Sequence, residues 1–250
     1  MPEPAERDTA GFSVQQGTCL NRIARQTGES RGFRWPRRDR VDPDTAFGEL
    51  VAVVARPRKF AEDEVVASAG ETFARNGYGG TTIDDLMRAT GLGKQSLYNA
   101  FGGKRGLFLR ALMASTADAI AAVDDALAGP GSTPLERIKA QMLKVAIVLS
   151  DDGRQGSLFT KATVELGHRD ADVAASALDG FTRLEGIYCH CIIDAQRSGE
   201  IASDADPHSL AAYFVAVTRG MEVVAAGVGR AELTAIASTS LAALPLADHT

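Results

Sequence analysis

The side chains from Lys94 to Lys104 are those whose types and spacing carry chemistry in this 250-residue chain. The chemistry is hydrogen bonding to a polyanion. Lys94, Gln95, Ser96 and Asn99 are donors and acceptors suited to base edges or phosphates, and Tyr98 adds a hydroxyl that reaches a phosphate oxygen. Lys104 and Arg105 follow, close to where a sugar-phosphate backbone would pass. An ordinary solvated helix face uses the same residue types, so the elements that position them decide the reading.

Thr81 and Thr82 each have an aspartate three residues on, Asp84 and Asp85. This capping-box pattern starts a helix. Ile83, Leu86 and Met87 then form one apolar stripe. Gly91 allows the helix to stop and the chain to turn, and Leu92 plugs the corner. A second helix is predicted from about Gly93 to Phe101. Leu97 and Phe101 face inward, which leaves Lys94, Gln95, Ser96, Tyr98 and Asn99 outside. Helix, glycine turn, short helix and basic helix start together predict a helix-turn-helix, which places its second helix in the major groove of DNA. Charge agrees. Residues 56–112 hold nine basic and six acidic side chains, net +3, whereas 113–250 hold ten and eighteen, net −8, and 1–55 are neutral. A positive block on an acidic protein is the footprint of a DNA reader.

These residues resemble the TetR family of bacterial transcription regulators. The likeness covers about 55–112: ArgProArgLysPhe at 56–60, PheAlaArgAsnGlyTyr at 73–78, ThrThrIleAspAspLeu at 81–86, and ThrGlyLeuGlyLysGlnSerLeuTyrAsnAlaPheGlyGlyLys at 90–104. The resemblance implies an all-α homodimer whose N-terminal domains bind a palindromic double-stranded operator and whose C-terminal domains hold a small-molecule pocket. By position it implies base or phosphate contacts for Lys94, Gln95, Ser96 and Asn99, and phosphate contacts for Thr82, Tyr98 and Lys104, with Thr81 a further DNA-binding candidate. Arg56, Arg58 and Lys59 form a candidate arm for the minor groove. Gly93 departs from the family's Ser or Thr, at a cost of only a few tenths of a kcal/mol.

The expected architecture is a three-helix DNA-binding domain over 55–103 and a larger helical effector-binding and dimerisation domain over 104–250. Its helices begin near Lys104, Thr133 (a cap followed by Pro134 and Glu136), Ser157, Ala171, Asp206 and Ala231. The helix after Asp206 spaces Leu210, Phe214, Val217, Met221 and Val224 by four, three, four and three, a coiled-coil seam. With Leu233, Ile236 and Leu241 of the last helix it is a candidate dimer interface, the alternative being internal core. Met142, Val145, Phe159, Phe181, Leu184 and Tyr188 are candidate pocket lining or plain core. Lys161, Glu165 and His168 are possible polar anchors. An apolar effector fits the scarcity of charge on those faces.

Residues 1–54 lack periodicity and read as a disordered extension. ValAlaArgProArgLysPhe from Val54 resembles a family start, so the extension is a candidate mis-assigned start. No run of eighteen uninterrupted apolar residues and no secretory h-region is seen, so the expected setting is the cytoplasm. Cys189 and Cys191 lie two apart on a helix and point in opposing directions, unsuited to one metal ion. GlyLeuGlyLysGln at 91–95 lacks the earlier glycine and the Ser or Thr of a phosphate loop. No catalytic set, cofactor or metal site is expected. A helical protein-interaction module without DNA binding is the alternative function.

Overall fold

The computed structural model describes residues 62–129, 132–151 and 156–247; Arg56, Arg58, Lys59 and the extension before them lie outside the described residues. The described residues form nine helices. They are α1 (Glu62–Gly80), α2 (Ile83–Thr90), α3 (Lys94–Phe101), α4 (Lys104–Ala128), α5 (Pro134–Leu149), α6 (Leu158–Leu166), α7 (Ala171–Arg197), α8 (Pro207–Val224) and α9 (Arg230–Ala242). Ile201 and Leu246 make an isolated antiparallel bridge.

Local signals account for the ends. Of the two threonines, Thr82 caps α2: its hydroxyl accepts from the Asp85 amide while the Asp85 carboxylate accepts from the Thr82 amide. Thr133 and Glu136 make the same box at α5, with Pro134 in the first turn. Gly91 stops α2 in the left-handed region (φ 69°), its N–H donating to the Met87 carbonyl. Asp170 caps α7 through the amides of Asp172 and Val173, and Asp206 caps α8 through that of His208.

Packing ties the first three helices to the fourth. Phe73, Leu86, Leu97, Leu107 and Phe108 are all buried, each gaining about 1.5–3 kcal/mol from burial. Phe108 meets the Phe73 ring edge-on at 5.2 Å and the Tyr78 ring at 4.7 Å. α4 continues past α1 to pack on α5, α6 and α7. It is the one described helix with the length and mean hydropathy (1.4) of a membrane span. Eight of its side chains, from Leu107 to Leu127, are buried in the bundle, as in a core helix.

Gly77 breaks the end of α1 at φ 74°, ψ 172°, a region open in practice to glycine alone. A Cβ there would lie 2.7 Å from Glu165 Oε2. Gly77→Ala is therefore expected to cost about 2 kcal/mol, read as a lowered urea midpoint with an unchanged slope.

Candidate nucleic-acid interface

α3 presents the polar row foreseen for it. Leu97 and Phe101 are buried, while Lys94, Gln95, Ser96, Tyr98 and Asn99 are exposed. The Gln95 amide donates to Asn99 Oδ1 at 2.9 Å, which fixes two amide groups one turn apart on the outer face before any ligand arrives. Tyr98 is 48% exposed. The first turn of α3 has no acidic residue and no side-chain cap, so its N–H groups and dipole face outward without a competing carboxylate.

The flanking residues divide. Thr82 is exposed, with its hydroxyl engaged in the α2 cap. The Asp85 carboxyl is held below its usual range chiefly by the Thr82 hydroxyl and amide, so the ionised form that makes the cap is favoured and is lost as pH falls. Thr81 departs from expectation. It is 1% exposed and its hydroxyl donates to the Gly77 carbonyl at 2.7 Å; it pins the α1–α2 turn from inside and offers nothing to a phosphate. Lys104 is half-buried, its ammonium 4.4 Å above the Tyr78 ring. Arg105 does not stand ready for a backbone: it donates to Asp170 (3.0 Å) and Asp172 (2.9 Å) at the start of α7. Burial pushes the Asp170 carboxyl up, and the Val173 amide and Arg105 outweigh it, so the group sits below the usual range.

The candidate pocket residues lie in the bundle core. Met142, Phe159, Leu184 and Tyr188 are buried, and Val145 and Phe181 are half-buried. Phe159 meets Phe181 edge-on at 5.1 Å, and Tyr188 stacks on Phe214 at 5.8 Å. The Tyr188 hydroxyl and Gln141 Oε1 are buried without a hydrogen-bond partner among the described residues. Burial pushes the Tyr188 phenol up to about 12, against a smaller pull from Arg219. Its folded pKa exceeds the ordinary value near 10, so stability is lost as pH rises from about 10 to 12. An absorbance titration of the folded protein is expected to show one phenol that ionises only near pH 12. None of the six lines the cavity of about 680 Å³, which lies instead among the end of α1, α6 and the end of α8. Lys161 and Glu165 do line that cavity, and both bond to α1.

The seam on α8 turns inward in part. Phe214, Met221 and Leu233 are buried within the protomer, Leu210, Val217 and Leu241 are half-buried, and only Val224 and Ile236 are exposed. The reason is Tyr188, whose ring takes the Phe214 face of α8. The row a quarter-turn away is outside: Tyr213, Ala216, Gly220 and Val224 on α8, with Ala235, Ile236 and Thr239 on α9 and Ala243 just past its end. It carries no charge. Cys189 and Cys191, both buried, have different neighbours: Cys189 Sγ lies 3.9 Å from His208 Nδ1, and Cys191 Sγ points to the Pro134 carbonyl at 3.5 Å.

Comparison with known proteins places this geometry. Residues 65–111 match the model for bacterial regulatory proteins of the tetR family, and 134–240 match that for a tetracyclin repressor-like C-terminal domain. The HTH-type transcriptional regulator YezE of Bacillus subtilis (strain 168) is 31% identical over 64% of this chain and 84% of its own length. The HTH-type transcriptional repressor DhaR of Mycobacterium sp. (strain GP1) is 28% identical over 62% and 77%. Among solved structures, a cysteine mutant of the regulator CifR complexed with 26 bp double-strand operator DNA is 27% identical, covers 76% of this chain and all of its own, and superposes with a TM-score of 0.66.

Proposed function

The chain belongs to the TetR family of bacterial regulatory proteins, DNA-binding transcription factors rather than enzymes, and on that premise we propose that it is a homodimeric repressor, cytoplasmic, that binds a palindromic operator and releases it when a small molecule binds. The observation that carries the reading is the α3 face, where five polar side chains stand outside two buried anchors and two amides are already paired. Lys94, Gln95, Ser96 and Asn99 are assigned to bases or phosphates, and Thr82, Tyr98 and Lys104 to phosphates. The reader spans about 55–103 and the effector and dimer domain 104–250; Arg58 extends the reader as an arm.

The dimer forms through the uncharged outer row of α8 and α9. Two copies of this face bring small residues together and allow close helix approach, with Tyr213, Val224 and Ile236 as the larger apolar contacts. Release follows from linkage: a ligand that favours a wrong spacing of the two α3 helices must weaken DNA binding by the factor by which DNA weakens ligand binding. Fluorescence anisotropy against salt tests the contacts. Lys104→Ala is expected to make the slope of log affinity against log salt shallower by about 1.8 per dimer, since each phosphate neutralised contributes about 0.9. An unchanged slope removes Lys104 from the interface.

A further inference from the structure

We propose that the cleft between α1, α6 and α8 seats the small-molecule effector, and that α6 passes its occupancy to the reader. This rests on the regulator reading above. The N-cap residue Ser157 and, within α6, Lys161 and Glu165 are spaced by four residues and follow one side of the helix, and all three line the cleft. Each is bonded across it. The Ser157 amide and hydroxyl donate to the Glu222 carboxylate of α8 at 3.0 and 2.5 Å, and Glu222 is paired with Arg219 at 2.8 Å. Lys161 Nζ donates to the carbonyls of Ala74 and Arg75 in α1 at 2.9 and 2.8 Å. The Glu165 carboxylate accepts from the amides of Tyr78 and Gly79 at 2.8 and 2.7 Å, in the turn that leads into α2. One nine-residue helix thus holds α8 through its N-cap residue Ser157 and the reader through Lys161 and Glu165.

The cleft has the room and the chemistry for a ligand. Its volume, about 680 Å³, falls within the roughly 300–1,000 Å³ of small-molecule sites. Val164 and Val223 line it and are 62% and 51% exposed. The aromatic centre of the bundle has buried polar atoms, but α6 and α7 meet closely there: a Cβ on Gly180 would stand 2.8 Å from the Phe159 ring. Charge selects the ligand class. Two carboxylates, Glu165 and Glu222, face the cleft, and Lys161 already spends donors on two carbonyls. Arg219 matches Glu222 and Lys161 brings a second positive charge, so the local charges balance and a neutral compound with an apolar body and a hydrogen-bond donor fits. A donor on Glu165 competes with the Tyr78 and Gly79 amides and loosens the turn that aims α2 and α3.

The test uses the full chain with Cys19→Ser and Val164→Cys, modified with N-benzylmaleimide as a neutral aromatic occupant. The same label on Leu178→Cys, an exposed position of α7, is the control. Affinity for a duplex selected from a random pool is read by anisotropy, with thermal unfolding in parallel. Labelling at 164 is expected to weaken DNA binding at least tenfold without lowering the unfolding temperature, while labelling at 178 changes nothing. In Glu165→Gln the effect of the label is expected to shrink to under threefold. DNA affinity within twofold after labelling at 164, or equal losses at both positions, overturns the proposal while leaving the regulator reading intact. If the unlabelled protein selects no duplex, the regulator reading fails, and this inference falls with it.

Discussion

Gly220→Arg is expected to give a folded monomer that has lost operator binding by a factor of about 10²–10⁴. The position lies on the outer row of α8, and a side chain built there meets nothing within 4 Å in the protomer. The substitution is therefore tolerated inside each copy; replacing glycine in a helix interior even favours the helix by up to about 1 kcal/mol. In the proposed dimer the same position faces its own copy, so the change sets two guanidinium groups into an uncharged contact and holds the helices apart. The loss of DNA affinity follows from valency. Once one half-site is bound, the second binding event in a dimer is intramolecular, and that advantage of about 10²–10⁴ vanishes with the partner. Sedimentation and anisotropy on the same sample check both parts. A variant that stays dimeric and binds DNA normally places the interface elsewhere. Phe214→Ala is expected to behave differently: Phe214 is buried against Tyr188, so its truncation costs about 3–5 kcal/mol of protomer stability.

The second large effect is expected at α3. Lys94→Ala with Tyr98→Ala removes an exposed ammonium and an exposed phenol without touching Leu97 or Phe101, so fold and dimer persist. Contacts to DNA of this kind are worth about 1–3 kcal/mol each. Counted in both subunits, the pair is expected to lower affinity by about 10²-fold or more. Asn99→Ala is expected to act on selectivity as well, because it also frees Gln95 from the 2.9 Å bond that holds its amide. Retained binding in the double variant would place the DNA contacts elsewhere than on Lys94 and Tyr98, whereas a native protein that binds no duplex would favour the helical protein-interaction reading.

Much of the fold was legible because its signals are local. The Thr82–Asp85 and Thr133–Glu136 boxes, Gly91 in the left-handed turn and the Leu97–Phe101 pair lie within a few residues of what they determine. What could not be read depends on partners far along the chain. Spacing by four and three makes Leu210, Phe214, Val217 and Met221 an apolar row, but the same row serves a protomer's own core or a copy of itself; Tyr188 is what claims Phe214 for the core. Thr81 and Thr82 are equivalent by pattern, and only the Gly77 carbonyl beneath Thr81 separates them. Lys161 and Glu165 look like surface charges until α1, some 86 or 87 residues earlier, is seen against them. The run GlyTyrGlyGly at 77–80 held the available clue. A glycine is needed at 77 because the backbone turns at positive φ while a carboxylate presses on it.

The central claim is that α3, doubled by a dimer, reads DNA. Selection of bound duplexes from a random pool by the purified full-length protein tests it most directly. The account expects an inverted repeat with half-site centres about one helical turn apart, or a multiple of it, enriched by the native protein and lost with Lys94→Ala and Tyr98→Ala. A pool that returns no common sequence, or a repeat that the double variant selects equally well, contradicts it.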